Sequence, residues 1–581
     1  MAQSTFLNQL RQLVLAETAF AFTMAHGMKP ACAQDKAALS AIDRVGPVRR
    51  RIWIPATLLA LFALQSLWFI GTQSLTYDEP AHIIAGVEAW QYGKFEHWND
   101  HPPLGRLWLT ILLRHTHAEF VWEEAANGFR VTAMRPGPER LSWCTRSMNT
   151  LLGLVLGLAL WCGTRRLFST VAADLAIALF AFTPSLVAHF SLATTDGIGT
   201  LFIFLVAFQL VRWRSNPSHA QTILMGLVIG GLLLAKFYAP PLVALALWLM
   251  LVLDRDRRFR HPRHWNWKPA LLALAIALVT LWAGYFFHVS HLKLGGGEFV
   301  VSNPNRPLKV YATKSQAELN LLVLAGEFFE GLRKVARDNH SGRPAWFLGQ
   351  IYPKGGIKTY YPVAIALKWP TLLLLLFFGS LTLGIRKTCR APSDLLIMCL
   401  FALVFLASAL QSRFDIGERH ILPLYPFALL IAGGIWEHAR KHRAGAALVV
   451  LALCLNAADA LRYAPDYLSY FNIFVKPETS WRLLTDSNLD WGQGLLALRK
   501  YERQHPGEAI HLAYFGSVDP ALYGVRATPL APDQRVSGTV VAGATCLSGQ
   551  TLLNADSYRW LWPYQPEKVL DHALWVFDTN H

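Results

Sequence analysis

The feature that most constrains this chain is a succession of long apolar runs, joined by loops in which arginine and lysine gather at every second crossing. Eleven runs are read, at about 52–71, 145–162, 170–190, 193–211, 221–236, 238–253, 269–287, 362–384, 393–411, 420–437 and 443–460. Each approaches or exceeds the ~17–25 residues that carry a helix across a bilayer. A single run of this kind fits a buried core helix, but a whole series in one chain fits membrane spans. Gly, Pro and small polar residues inside several runs are compatible with this, because neighbouring helices and water satisfy the freed backbone. Composition points the same way. The 581 residues are 53% hydrophobic and 16% charged, against roughly 25% charged in an ordinary soluble protein. Neither a string of soluble domains nor a disordered chain fits.

The basic residues orient the runs. Arg49, Arg50 and Arg51 precede the first, Arg165 and Arg166 follow the second, and Arg212 and Arg214 follow the fourth. Arg255, Arg257, Arg258, Arg260 and Arg263 follow the sixth, Arg386, Lys387 and Arg390 the eighth, and Arg440, Lys441 and Arg443 the tenth. Threaded alternately, all fall on one side, which the positive-inside rule makes cytoplasmic. The N-terminus is then inside and the C-terminus outside. The net charge is +16, and much of the positive charge is thereby used as a topology signal, so no nucleic-acid partner is needed to explain it.

This threading gives a cytoplasmic segment at 1–51, a membrane domain at 52–461 with outer loops at 72–144 and 289–361, and an outer C-terminal domain at 462–581. The stretch LVLAETAFAFTMAHGM near the N-terminus is interrupted by Glu17 and has no basic leader. It reads as an amphipathic cytoplasmic helix rather than a signal peptide. RLWLTILL at 106–113 is too short to span and reads as an interfacial helix. Alternating segments such as AIHLAYFG and GTVVAGA, set between turn residues, predict a small α/β or mixed C-terminal domain. The 7 cysteines are scattered without a C-x-x-C pair, so a thiolate zinc site or disulfide framework is not indicated.

The unusual polar residues gather on the outer side. Asp78 and Glu79 follow the first run, and Asp100 and His101 lie in the same loop. Asp196 opens the fourth run and Lys236 closes the fifth. Lys368 lies a short way into the eighth, and Arg413, Asp415, Glu418, Arg419 and His420 join the ninth to the tenth. Ionisable groups at this depth are costly and are usually paired or functional. Carboxylates beside cations suit a reaction in which a carboxylate takes a proton from a hydroxyl while cations hold a leaving phosphate. Simpler readings stand beside this one. Asp78 and Asp196 could be helix caps, and His101 before two prolines could be a stiff turn. Lys236 and Lys368 could snorkel, and Arg413 and Arg419 could balance Asp415 and Glu418. Two function classes remain: a membrane transferase using a lipid phosphate donor, and a transporter for an anionic or sugar-like solute. Interrupted spans in internally repeated halves would mark a transporter. No such repeat is visible, and the long outer segments favour surface chemistry.

At these residues the chain resembles the membrane glycosyltransferases of the C superfamily, in particular the family of protein O-mannosyltransferases and bacterial aminoarabinose transferases. The matching stretches are LTYDEPAHIIAG at 75–86, FEHWNDHPPLGRLW at 95–108, WCTRSMNTLLG at 143–153, FSLATTDGIGTLF at 190–202, GLLLAKFYA at 231–239, YYPVAIALKWP at 360–370 and SRFDIGERHILPLYPF at 412–427. The tail segments PDYLSYFN, LLTDSNLDWGQGLLALRKY and HLAYFGSVDPALYG resemble those of bacterial members whose acceptors are mostly unassigned. Aminoarabinose transferases carry Lys before the paired prolines, whereas this chain has His101, as the protein-mannosyltransferase side does.

The resemblance implies an all-α polytopic fold with about eleven spans, in the bacterial inner membrane, with the first outer loop packed above the spans. It also implies inverting transfer of a sugar from a polyprenyl-phosphate donor to a hydroxyl on a protein, lipid or glycan. Asp78 is then the candidate base, with Asp100 and Glu79 assisting. His101, Asp196, Lys236, Lys368, Arg413 and Arg419 are the candidates for holding substrate or the lipid phosphate. Lys236 and Arg419 are preferred as phosphate binders. The runner-up remains a transporter or flippase. No Gly-rich phosphate loop is found, and no cofactor is assigned. A divalent cation is compatible with the carboxylates, and basic side chains can take its place.

Overall fold

Most apolar runs become single helices, and two of the exceptions break just before a proline. The computed structural model describes residues 52–95, 97–125, 128–253, 267–295, 298–302, 309–312 and 319–580. The expected amphipathic helix before residue 51 and the basic cluster at 255–263 lie outside these residues. Residues from Ile54 onward form one unit.

Helices Trp53–Thr72, Pro138–Leu167, Asp196–Ser215, Pro392–Ala409, Arg443–Arg462 and the composite Glu418–Ala439 are each long and apolar enough to cross a membrane. Tyr360–Lys368 and Thr371–Thr382 would make a seventh span, bent by 111°. The bend falls at Trp369-Pro370, where Trp369 is extended with ψ 139. A residue before proline is pushed out of the helical region, so the run read at 362–384 cannot continue straight. The run at 170–190 divides for the same reason into Thr170–Ala181 and Pro184–His189, with Thr183 extended between them. Three further apolar helices, His219–Ala235, Ala239–Val252 and Lys268–Gly284, are shorter than a full span. Pro240 and Pro241 sit in the first turn of the second of these, where a missing N–H costs nothing.

The chain is a multi-pass membrane protein. Its outward residues are apolar, which water would not tolerate over such an area. Leu448, Leu451 and Leu455 on one helix, and Leu151, Val155 and Leu158 on another, are exposed. The inward faces are closely packed around Phe62, Phe180, Phe190 and Phe204, all fully buried.

One end of the bundle carries the loops. The first loop forms helix Glu79–Tyr92, helix Pro103–Leu109 and a hairpin of Glu119–Ala125 with Gly128–Arg135. The segment expected as an interfacial helix is thus a short helix plus one 3₁₀ turn, and Arg106, Leu107, Leu109 and Leu113 within it are buried. The second loop contains a four-stranded antiparallel sheet, helix Gly326–Ser341 and a short hairpin at Ala345–Tyr352. Beyond helix Arg443–Arg462 the chain forms a five-stranded mixed sheet. Ile510–Ala513 and Thr539–Gly543 run parallel, and Leu574–Asp578 pairs antiparallel with the latter. The helix Leu495–Gln504 lies between the site-facing segment and this sheet in sequence, and buries Leu495, Leu498 and Tyr501.

Candidate active site

The site is built on the chain that leaves the first span. Residues 74–77 run beside the tail: Ser74 N donates to Gln493 O at 2.9 Å and Tyr77 N to Trp491 O at 2.8 Å. This delivers Asp78 to the start of helix Glu79–Tyr92. Asp78 holds the capping position, yet its side chain makes no capping bond. It turns instead to Arg419, whose Nη1 donates to Asp78 Oδ2 at 2.8 Å. The carboxylate keeps 29% of its side-chain surface exposed.

Arg419 reaches a second acid. Its Nη1 lies 3.8 Å from Asp196 Oδ2, and Lys236 Nζ donates to Asp196 Oδ1 at 2.7 Å. The result is a row of alternating charge, Lys236, Asp196, Arg419, Asp78, drawn from four distant parts of the sequence. Asp196 is the first residue of its helix, where the helix dipole favours an anion. Lys236 ends helix His219–Ala235 and is buried, so it turns inward instead of snorkelling. The row is not fully paired. Among the described residues, Arg419 Nε and Asp196 Oδ2 are buried without a hydrogen-bond partner. Buried polar atoms are normally satisfied, and here the row keeps one donor and one acceptor unused.

His101 borders the row. Its Nδ1 is 3.2 Å from Thr195 Oγ1 and 3.5 Å from Lys236 Nζ. Burial, then the nearby Lys236, His82 and Arg106, hold this imidazole well below its ordinary range, so the ring is neutral at pH 7. Asp100 lies beyond it. Arg106 Nη2 donates to Asp100 Oδ1 at 3.1 Å, and Lys334 Nζ is 3.9 Å from Asp100 Oδ2. Arg106 also reaches the carbonyls of His97 and Trp98, which ties the loop before the two prolines into one turn.

Three expected residues stand apart from the row. Glu79 is fully buried and receives five donors: Thr76 N, Thr76 Oγ1, Arg146 Nε, Arg146 Nη2 and Ala193 N. No acceptor capacity remains for a substrate proton, so its place is that of a positioning group beside Asp78. Lys368 is fully buried as well. It donates to the carbonyls of Leu468 and Asn488 at 3.1 and 2.6 Å and lies 3.6 Å from Glu418. Glu418 also accepts from Ser185 and Tyr425, so Lys368 anchors the turn that carries Arg419. Arg413 points elsewhere, donating through Nη1 to His340 O at 2.6 Å.

The sequence reading missed Trp491, Asp486 and Arg146. Arg419 Cζ lies 4.1 Å from the centroid of the Trp491 ring. Asp486 is buried near Arg419 and Asp78, and burial, opposed chiefly by Arg419, pushes its carboxyl up to about 6. Arg146 completes the Glu79 pair. The dense polar run TDSNLDWGQG in the tail is the one signal that could have flagged the first two, but its pairing with residues 74–77 has no trace in the sequence.

Residues 139–282 match the family described as dolichyl-phosphate-mannose-protein mannosyltransferase. That stretch contains Arg146, Asp196 and Lys236, and the match agrees with the resemblance read from the sequence. A search of curated proteins gives no match. Among solved structures, the chain is similar to ArnT from Cupriavidus metallidurans bound to undecaprenyl phosphate, at 13% identity and TM-score 0.46, with 91% of this chain and 97% of that one covered. It is similar to the S. cerevisiae protein O-mannosyltransferase Pmt1-Pmt2 complex bound to the sugar donor, at 10% identity and TM-score 0.47, with 85% and 96% covered. The Archaeoglobus fulgidus oligosaccharyltransferase in the apo form aligns at 12% identity and TM-score 0.44, with 89% and 73% covered.

Proposed function

We propose that this protein is an inverting glycosyltransferase that moves a sugar from a polyprenyl-phosphate donor to a hydroxyl acceptor at the outer face of a bacterial inner membrane. The observation that carries the reading is the row Lys236, Asp196, Arg419, Asp78, with its orphaned guanidinium nitrogen. The family match supports the donor class, since its description contains a dolichyl-phosphate sugar. Asp78 takes the proton of the acceptor hydroxyl. The acceptor oxygen bonds to the anomeric carbon as the bond from that carbon to the phosphate oxygen breaks. The departing lipid phosphate carries the new charge, and Lys236 and Arg419 face it. A guanidinium offers its free edge to two phosphate oxygens, and an ammonium adds a point charge. Neutral His101 is a hydrogen-bonding partner for donor or acceptor. Asp100, held by Arg106, shapes the turn that presents it. No cofactor enters this scheme.

Binding of undecaprenyl phosphate to the purified full-length protein tests the donor site. Lys236→Ala and Arg419→Ala are each expected to weaken binding by about tenfold or more, as for the loss of a charge-assisted contact worth ~1.5–3 kcal/mol. Equal affinity in wild type and both variants would reject the assignment. Solute flux in sealed vesicles without any glycosidic product would favour the transporter reading.

The membrane threading has its own test. We place the N-terminus in the cytoplasm and the tail outside, with eleven crossings, from the alternation of basic clusters. A cysteine introduced at exposed Leu553 is expected to react with an impermeant maleimide before the inner membrane is permeabilised. Reaction only afterwards would overturn the orientation.

A further inference from the structure

The tail segment Asp486–Gln493 grips both halves of the charged row. On one side it holds the turn carrying Arg419. Ser487 Oγ donates to Ile416 O at 2.8 Å, and Glu418 N donates to Asn488 Oδ1 at 2.9 Å. Gly417 makes room for this, since a Cβ there would fall 1.9 Å from Ser487 Oγ. On the other side the segment holds the strand that delivers Asp78, through Tyr77 N to Trp491 O and Ser74 N to Gln493 O. Gly492 passes between them at φ +91, with a Cβ excluded by Phe515 O at 2.5 Å. Trp491 therefore links the two arms of the Arg419–Asp78 pair, bonding to the residue before Asp78 and lying against Arg419. Its carbonyl fixes the backbone before Asp78, and its ring lies under the Arg419 guanidinium.

Resting on the donor-site reading above, we propose that this tail segment is a working part of the site and that Trp491 is a positioning residue for Arg419. A guanidinium lying over an indole at 4.1 Å is restricted in rolling about its long axis. The ring covers one side of the guanidinium and leaves its N–H groups to act. Nη1 then meets Asp78, with Asp196 Oδ2 3.8 Å away, and Nε is left without a hydrogen-bond partner. Without the ring, the guanidinium can rotate onto buried Asp486 or close on Asp196, and in either case its edge is consumed by protein. The indole contributes cation–π attraction as well, which grows as water is excluded. The segment thus gives the tail a role in a reaction whose charged groups otherwise all come from the membrane domain.

The test is undecaprenyl phosphate affinity of the full-length protein in detergent, measured as a double-mutant cycle. Trp491→Leu is expected to weaken binding about 10- to 30-fold in the wild-type background, and Trp491→Phe, which keeps a flat ring, less than about 3-fold. In the Arg419→Ala background, Trp491→Leu is expected to cost nothing further, because its effect runs through Arg419. A merely structural role would give the same loss in both backgrounds and no rescue by phenylalanine, and would overturn the proposal. So would wild-type affinity in Trp491→Leu. If Trp491→Leu does not fold, Trp491→Met, which also removes the flat ring, carries the same comparison in both backgrounds. Absence of binding in the wild type itself would instead remove the donor-site reading on which the proposal rests.

Discussion

Asp78→Asn is expected to lower turnover about 10²–10⁴-fold at saturating donor, the range for loss of a general base. The substitution is nearly isosteric. Its amide oxygen can still accept from Arg419 Nη1, the one hydrogen bond the Asp78 carboxylate receives among the described residues. The affinity for undecaprenyl phosphate should therefore hold within a few-fold, and the loss should appear in kcat. Asp78 is suited to the role because it combines a cationic neighbour with an open side, being 29% exposed where Asp196 is 6% exposed. A base must reach the hydroxyl it deprotonates, and Asp196, closed in by Lys236 and Arg419, does not offer that approach. Near-wild-type turnover in Asp78→Asn, measured with a synthetic lipid-linked sugar and product detection by mass spectrometry, would remove Asp78 from the role. Mass spectrometry of glycans, lipids and exported proteins before and after deletion of the gene would identify the acceptor.

The contrast between Asp78 and Glu79 shows what sequence can and cannot carry. Adjacent acids after a span, a second acid before His-Pro-Pro, and bases at later span ends all pointed to one end of the bundle. Asp78, Asp196, Lys236 and Arg419 do meet there. The apolar runs were legible because hydropathy acts locally, residue by residue. Their breaks at Pro184 and Pro370 are local too, and a stricter reading of the residue before proline would have placed them. Which neighbour each charge meets is not local. Asp78 and Arg419 lie 341 residues apart in sequence, and nothing at either position records the pairing. The same holds for Arg413 and Arg419, six positions apart, of which only the second turns inward. The tail is the sharpest case. Its strands could be read from alternation, but Trp491 looks in sequence like any aromatic in a turn. Only its register against residues 74–77 places it under Arg419.

Glu79→Gln and Arg146→Met are each expected to destabilise the fold by about 3–5 kcal/mol, the cost of breaking a buried ion pair by removing one partner. Both side chains are completely buried, and the pair is bidentate, with contacts of 2.8 and 2.7 Å. Glutamine is a conservative change on most surfaces, but here every neighbour of the carboxylate is a donor. Thr76 N, Ala193 N and both Arg146 nitrogens point at it. Whichever way the new amide turns, its NH₂ faces donors, and a buried N–H loses its partner. Replacing both residues by apolar ones, often neutral for an isolated buried pair, is not expected to rescue this one. Arg146 also satisfies the carbonyls of Gln73 and Ser74 at 2.8 and 2.7 Å, and Glu79 satisfies two backbone amides. The double variant would orphan those four backbone groups at about 1–3 kcal/mol each. Thermal unfolding in detergent, followed by tryptophan fluorescence, should show both single variants and the double variant melting well below the wild type. Asp78→Asn should melt near it. A reacting Glu79 would behave in the opposite way, with Glu79→Gln folding normally and turnover alone abolished. Wild-type melting of Glu79→Gln together with lost activity would therefore move the chemistry from Asp78 to its neighbour.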